Sequence, residues 1–310
     1  MTSIVTNTSE SALVESGWLK LPVEYRMPST MPTLEQARAY CQRLAESHYE
    51  NFTVVSWFLP KRLRKHFHAI YAYCRISDDL GDEVGNREES LALLDFWQRQ
   101  LDACYRGEAA HPVFVALSAT IRECNIPQQP FNDLLTAFRQ DQDIHRFATM
   151  DDILGYCHYS ANPVGHLVLY TCGYSDAERM RLSDFTCSAL QFANFWQDVS
   201  VDLEKDRMYL PEDDREKYGV TEEALFARRA DDNYRKLVAF QVARTQGIFD
   251  QGAPLTKKLR GLLRLEIRLT WLGGTTILRK IEALNFDTLN HRPTVGKADM
   301  ARLFFKALIS

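Results

Sequence analysis

The segment QFANFWQDVSVD, residues 191–202, sets Gln191, Asn194, Asp198 and Asp202 at offsets of three, four and four in a run otherwise rich in Phe, Trp and Val. That spacing puts all four on one face of an α-helix, with Phe192, Phe195, Trp196 and Val199 covering the rest. A helix apolar over most of its surface belongs inside a protein. A stripe of amides and carboxylates on it must then meet water, a partner or an ion, because an unpaired buried charge is too costly. The chain is thereby constrained to a helical body with something polar to hold.

Helical spacing recurs along the chain. Thr33-Leu-Glu-Gln36 has the form of a capping box and predicts a helix to about Tyr49. After Leu59-Pro60, the positions Leu63, Phe67, Ile70 and Cys74 predict a helix over 61–80. Similar patterns cover about 88–106, 112–123, 129–140, 151–172, 176–201, 221–250 and 255–284. Strand-type alternation is scarce and no Asn-Gly or Asp-Gly hairpin signal occurs. The fold class read here is all-α. Residues 1–32 carry Pro22, Pro28 and Pro32 without a clear period and read as a partly disordered lead-in. No Pro/Gly/Ser linker divides the remainder, so residues 33–310 read as one helical domain.

Bulk properties exclude several classes. With 310 residues the chain is long enough for a large core. Acidic residues number 41 against 37 basic, so no polycationic character argues for nucleic acid as a partner. Seven scattered cysteines without a CxxC pair read as reduced, core-filling thiols of a cytoplasmic protein. No signal-peptide pattern opens the chain, and no apolar run reaches the about 18 residues of a membrane span. The tail ADMARLFFKALIS is amphipathic: it reads as a docked terminal helix, with peripheral membrane contact as the alternative.

The stripe at 191–202 has a counterpart in YAYCRISDDLGDE. Tyr71, Arg75, Asp78 and Asp82 follow at offsets of four, three and four, with Asp79 and Glu83 one position round. Each helix therefore offers two carboxylates one turn apart. Such oxygen pairs suit a hard divalent cation, and Mg²⁺ usually takes one or two carboxylates plus waters and phosphate oxygens. Two pairs facing each other across a cavity would bind a diphosphate through bridging Mg²⁺. Metal and Arg together would stabilise the charge that grows on diphosphate as its carbon–oxygen bond breaks. Bland readings stand beside this one. Paired Asp residues are common on solvated helix faces, Gln191 and Asn194 suit hydrogen-bonded core amides, Arg75 suits a neutralising partner for Asp78 or Asp79, and Tyr71 suits a core aromatic.

Other chemistries fit poorly. The only Glu-x-x-His, Glu108 to His111, precedes Pro112 in a predicted loop, whereas a di-iron bundle needs two such motifs on helices. His66 and His68 point to different helix faces. There is no P-loop, no G-x-G-x-x-G and no G-x-S-x-G. Gly273-Gly274 lies in a helical pattern and reads as a close-packing site.

Taken together, these motifs resemble the squalene/phytoene synthase family of head-to-head prenyl synthases. YAYCRISDDLGDE resembles the family's first aspartate-rich motif and QFANFWQDVSVD its second. DRMYLP resembles the adjoining loop that closes on diphosphate, HYENFTVVSWFLP the N-terminal flap, and YCHYSANPVGH the helix that usually reads Y-C-x-x-V-A-G-x-V-G. The likeness covers about residues 40–300. It implies a class I isoprenoid synthase fold, all-helical around a central cavity, with Mg²⁺ as cofactor and a prenyl diphosphate as substrate. Carried onto this chain, it makes Asp78, Asp82, Asn194, Asp198 and Asp202 metal residues. Arg75, Gln191, Asn194, Arg207 and Tyr209 become diphosphate contacts, with Tyr71, Arg75, Tyr156 and Asn162 at the reacting centre. Phe52, Ala161, Val164, Gly165 and Phe195 become cavity lining.

Within the family, ENF, SANPVG and IEALNFDTLNHRPTVGKAD resemble the hydroxysqualene-forming bacterial branch of hopanoid biosynthesis. The resemblance implies ionisation of presqualene diphosphate, rearrangement of the cation and capture by water, with functional coupling to a presqualene diphosphate synthase. The condensing branches share every metal residue, and a non-catalytic binding or assembly factor is the alternative of a different class. His166 stands where this branch is expected to carry Arg, and Lys205-Asp206 precede Arg207 where relatives commonly carry Gly. Asn162-Pro163 predicts a bent helix whose freed polar groups, with Ser160, would position the capturing water or serve packing alone.

Overall fold

A computed structural model describes residues 3–47 and 60–309 of the chain. Among them the regular elements are sixteen α-helices and one short 3-10 turn. Beyond a lone bridge between Arg146 and Met208 there is no strand pairing. The all-α reading holds. Where the sequence reads one domain after residue 32, packing divides the chain into two compact units, residues 1–143 with 166–174 and residues 144–165 with 175–310.

The first unit holds α1 (Ser3–Trp18), the 3-10 turn Val23–Tyr25, α2 (Leu34–Ser47), α3 (Lys61–Asp82), α4 (Arg87–Arg106), α5 (Pro112–Cys124) and α6 (Gln129–Gln140). Its lead-in contributes α1 and several buried side chains. Trp18, Leu21 and Tyr25 join the hydrophobic core, and Trp18 meets Phe96 edge-on. The three prolines interrupt helix there, yet Trp18 and Leu21 just before Pro22, and Tyr25 after it, gain from burial. The capping box at α2 forms: Gln36 N–H donates to Thr33 Oγ1 at 3.3 Å and Thr33 N–H to Gln36 Oε1 at 2.9 Å. Tyr73 sits at the centre of α3, fully buried against Trp97, Phe114 and Phe131, its hydroxyl donating to the Phe131 carbonyl at 2.9 Å. With Tyr73 anchored inward, Tyr71, Arg75 and Asp78 are carried to the half-buried side of the helix.

The second unit holds α7 (Met150–Ser160), the start of α8 (Asn162–Thr171), α9 (Ala177–Gln197), α10 (Val199–Glu204), α11 (Glu212–Tyr218), α12 (Glu222–Phe226), α13 (Asp232–Gly252), α14 (Leu255–Lys258), α15 (Gly261–Ala283) and α16 (Lys297–Ile309). Its central helix is α9. Gly252 of α13 lies against Thr186 and Leu182 of α9, and Gly274 of α15 lies against Leu190 of α9 and Phe249 of α13. A Cβ at either glycine would collide, so both helices approach closely. Phe192 and Trp196 of α9 are fully buried, and Trp196 Nε1 donates to Thr245 Oγ1 at 2.8 Å. The tail helix α16 docks on α15 through Leu303 and Ala307 and a Lys280–Asp299 ion pair, as the docked-helix reading expects.

Four predicted helices are broken. The 151–172 pattern divides at Ala161 into α7 and α8. Pro163 has no N–H for the carbonyl four residues back, and Val164 N–H turns to the Ala161 carbonyl at 3.2 Å instead. The 176–201 pattern divides at Asp198. The 221–250 pattern stops at Phe226, passes Arg228 at φ 51°, and restarts where Asp231 caps α13. The 255–284 pattern divides at extended Leu259 before Gly261 at φ 58°. At Ala161, Asp198 and Leu259 the apolar period continues through the break, so periodicity alone reads one element; between Phe226 and Tyr234 only small and polar residues intervene, and the break there is readable.

Candidate functional site

On α3 the four-residue stripe forms as its spacing predicts. Tyr71, Arg75 and Asp78 are half-buried and Asp82 is exposed at the helix end. Asp79, one position round, points inward: only 4 % exposed, it accepts from the Tyr25 hydroxyl at 2.7 Å and from Arg75 Nε at 3.1 Å. Asp79 is thus the internal anchor of Arg75, leaving Asp78 and Asp82 as the outward pair. Arg75 also reaches Asp78 at 3.4 Å. Burial first, then the Asp82 carboxylate, pushes Asp78 up to about 6, against the pull of Arg75. Burial raises the Tyr71 hydroxyl too, with Arg75 opposing. A carboxyl whose charged form is disfavoured by burial and by a neighbouring carboxylate gains from a cation placed between the two.

The second stripe runs from α9 into α10. Gln191, Asp198 and Asp202 are half-buried and Asn194 is exposed, while Phe192, Phe195, Trp196 and Val199 are buried. Asp198 closes α9 with φ −105° and ψ 14°, but the register survives the break. Its N–H donates to the Asn194 carbonyl at 2.9 Å, and Asp202 N–H donates to the Asp198 carbonyl at 2.9 Å. Arg292 grips Asp198 with both arms, Nε to Oδ1 at 2.6 Å and a terminal nitrogen to Oδ2 at 3.1 Å. Gln197 secures this contact by donating to the carbonyl of Pro293 at 2.7 Å. Asp202 Oδ2 is buried and accepts no hydrogen bond. Burial, then the neighbouring Asp198, pushes its carboxyl up to about 7, with Arg207 pulling down. Asp202 lines a cavity of about 10 Å³, room for one water, with Phe195, Val199, Leu203, Arg207 and Tyr209. Tyr209 lies flat on Phe195, ring centroids 3.7 Å apart, and Phe147 and Tyr156 complete the aromatic group at 5.7 and 6.3 Å from Tyr209.

The loop after α10 explains how its missing glycine is tolerated. Asp206 adopts φ 54°, the left-handed conformation that Gly takes most easily and Asp more readily than most. Arg146 holds it there, donating to Asp206 Oδ1 at 2.6 Å and to its carbonyl, while Met208 N–H donates to the His145 carbonyl at 2.9 Å.

At the α7–α8 junction, Asn162 is buried and its Oδ1 accepts from Ser188 Oγ of α9 at 3.0 Å. Ser160 donates to the Tyr156 carbonyl at 3.0 Å. Gly165 is a contact point for α9: a Cβ there would strike Ser183 and Cys187, so close packing sets its role where the resemblance expects open cavity wall. Ala161 is half-buried and Val164 is 45 % exposed. Phe52 lies outside the described residues.

The two stripes belong to different compact units, and each presents two carboxylates. Among the described residues no group of three or more His, Cys, Asp or Glu side chains forms a metal site by itself. An all-oxygen donor set with an orphaned buried carboxylate oxygen fits a hard cation that completes its shell with other oxygens. The sequence missed Arg292 and Arg146. Both contacts join residues with no fixed offset, 94 and 60 positions apart; Arg292 lies in IEALNFDTLNHRPTVGKAD, which marks the branch but assigns it no role, and Arg146 lies in no motif. Two histidines serve as core and capping groups. His111 caps α5, with its Nδ1 accepting from Val113 N–H, and burial pushes it down to about 4. His66 bonds Thr120 at 3.0 Å.

Comparison with known proteins agrees with these motifs. A family description, squalene/phytoene synthase, matches residues 45–299. The crystal structure of squalene synthase HpnC from Alicyclobacillus acidocaldarius is 43 % identical, covering 87 % of this chain and 99 % of that one, with a TM-score of 0.79. A 15-cis-phytoene synthase of Synechococcus elongatus is 27 % identical over 282 residues, 87 % of this chain and 92 % of that protein. The chloroplastic phytoene synthase 1 of Arabidopsis thaliana is 27 % identical over 285 residues, 90 % of this chain and 68 % of that protein.

Proposed function

The chain belongs to the squalene/phytoene synthase family, whose members process prenyl diphosphates, and from that premise we propose that it converts presqualene diphosphate and water to hydroxysqualene and diphosphate. The observation that carries the reaction class is the second stripe: Asp202 with an unsatisfied buried oxygen, beside Asp198, lining a small cavity with Arg207 and an aromatic wall. A cation and an anion together satisfy that arrangement, and a diphosphate with Mg²⁺ supplies both.

Asp78 and Asp82 from one stripe and Asp198 and Asp202 from the other, with Asn194 in support, are the residues that would hold Mg²⁺. When bound, the metal supplies positive charge to the diphosphate oxygens as the carbon–oxygen bond breaks. Arg207 and Tyr209 donate to those oxygens, as does Arg75 from its anchor on Asp79. Arg292 adds a further cation at Asp198. Gln191 donates its amide N–H to diphosphate. Tyr71 and Tyr156 stand near the departing group. The stacked pair Phe195 and Tyr209 presents π-faces that favour positive charge and exclude bulk water. Asn162-Pro163 stands where the resemblance expects Gly, and its place in the branch-specific segment SANPVG is what favours capture by water; the junction's side chains are bonded within the protein, Asn162 to Ser188 and Ser160 to the Tyr156 carbonyl.

A second reading is a condensing enzyme, favoured by the likeness to phytoene synthases. Purified protein with Mg²⁺ in ¹⁸O-labelled water, given farnesyl diphosphate and then presqualene diphosphate, separates the two. The proposal expects a labelled C30 alcohol from presqualene diphosphate alone. Condensation of farnesyl diphosphate without alcohol formation overturns it in favour of the second reading. No Mg²⁺-dependent diphosphate release from either substrate identifies a non-catalytic binding factor.

A further inference from the structure

One contact of the first stripe comes from outside the residues that match the family. Tyr25 precedes the matched residues 45–299, yet it is 1 % exposed in the core of the first unit, and its hydroxyl donates to Asp79 Oδ2 at 2.7 Å. Burial, then the bond to Asp79, holds this phenol well above its ordinary range, so it stays protonated and donates throughout the working pH range. The turn that carries it is fastened separately. The Glu24 carbonyl accepts from the Tyr40 hydroxyl at 2.8 Å, and the Trp18 carbonyl accepts from Arg26 Nε at 3.2 Å and a terminal nitrogen at 2.8 Å. His111 Nδ1 accepts from Val113 N–H, which leaves the ring proton on Nε2 to donate to the Tyr25 carbonyl at 3.1 Å. Side chains of α2 and of the α5 cap therefore set where the Tyr25 ring enters.

The partner of Tyr25 gives the contact its meaning. Asp79 holds Arg75 by Nε at 3.1 Å and by one terminal nitrogen, while the other terminal nitrogen faces Asp78 at 3.4 Å. A guanidinium is a planar, rigid fork, so a carboxylate on one edge fixes the direction of the other. Asp79 Oδ2 accepts from Arg75 Nε and from Tyr25 together. The torsion that turns a carboxylate on its stem is soft, and a carboxylate bonded only to Arg75 would swing with it. A second donor on a separately fastened turn stops that motion. The hydroxyl also draws on the negative charge of Asp79, which leaves more of the Arg75 charge uncancelled on its outer edge. Tyr25 and Asp79 are buried and Arg75 is half-buried, so both effects act where solvent screens little.

We propose that Tyr25 is a positioning residue for diphosphate: through Asp79 it sets the guanidinium of Arg75 so that its outer edge meets the phosphate oxygens. The assignment rests on the reading of Arg75 as a diphosphate contact. It is independent of how the cation ends, so it holds for the alcohol-forming and the condensing readings alike. No bond is made or broken in this role; the hydroxyl acts only on geometry and charge at Arg75. The turn before the family's matched residues thereby takes a part in the chemistry of the first stripe.

The test is calorimetric titration of the full-length protein with inorganic diphosphate and Mg²⁺. Tyr25→Phe keeps the ring in the core and loses the hydroxyl. It is expected to weaken diphosphate binding about tenfold, the scale of one hydrogen bond to a charged group. The kcat for diphosphate release from presqualene diphosphate is expected to fall by a similar factor. A role in packing alone would lower the melting temperature and leave binding unchanged, so a double-mutant cycle decides. Arg75→Lys keeps a cation beside Asp79 but has no fork to orient, and in that background Tyr25→Phe is expected to cost no further affinity. Should Tyr25→Phe fold poorly, Asp79→Glu, which keeps the charge and displaces the fork, is expected to weaken binding several-fold. Unchanged affinity in folded Tyr25→Phe or Asp79→Glu overturns the assignment while leaving the parent reading intact. Equal losses from Tyr25→Phe in the wild-type and Arg75→Lys backgrounds do the same, as does wild-type affinity in Arg75→Lys. A wild type that binds no diphosphate with Mg²⁺ overturns the parent reading and this assignment together.

Discussion

At the scale of single residues, the acidic side chains divide by what already satisfies them. Asp79 is taken by Tyr25 and Arg75, Asp198 is shared with exposed Arg292, with which a bound cation would compete, and Asp202 keeps a buried oxygen without a donor. Asp202 therefore has a stability consequence of definite sign. Its carboxyl, raised to about 7 in the fold, keeps its proton between about 4 and 7 while the unfolded chain has lost it. The folded state binds more protons there, so its stability falls as pH rises through that window and stays reduced above it. Asp202→Asn is expected to raise the melting temperature by a few degrees at pH 8 and by much less at pH 4; equal shifts at both would refute the burial argument. Asp206 gives a backbone test. Its φ of 54° suits Gly, but Gly loses the ion pair to Arg146, so Asp206→Gly should leave the denaturant midpoint nearly unchanged. Asp206→Val has neither advantage and should lower the midpoint in denaturant titration.

At the scale of elements, the stripes were legible in the sequence because side-chain spacing on a helix is a local property. Offsets of three and four place Gln191, Asn194, Asp198 and Asp202 together whether or not the backbone is ideal, and the i to i+4 bonds carry that register across the break at Asp198. The breaks themselves were less legible. The α7–α8 break had a local cause on view, Pro163, and there the sequence anticipated a bend within one helix where the structure has two. Asn162 is fixed by Ser188 on a distant part of the chain, and Gly165 lets α8 approach α9. If this junction steers water capture, combining Asn162→Gly with Pro163→Thr should shift product from alcohol towards hydrocarbon several-fold without slowing diphosphate release. An unchanged alcohol yield in product analysis would remove the junction from the mechanism.

For the whole molecule, each compact unit carries one acidic stripe, and each stripe is tested by itself. Ligand that binds only the folded protein adds stability by mass action, about 2.7 kcal/mol at a hundred times its dissociation constant. Mg²⁺ with inorganic diphosphate should therefore raise the melting temperature by several degrees, and a chelator should abolish the rise. Asp78→Ala and Asp198→Ala, one in each unit, should each lose the shift while remaining folded by circular dichroism; a shift retained in either would remove that stripe from the site. By itself the sequence determined the helical class, the two stripes and their oxygen chemistry, because these depend on residue type and a 3.6-residue period within one segment. Only the tertiary structure decided which of those groups are satisfied and which remain available. The deciding contacts, Tyr25 with Asp79 and Arg292 with Asp198, join residues 54 and 94 positions apart. Pairing over such distances follows from packing, which no local period encodes.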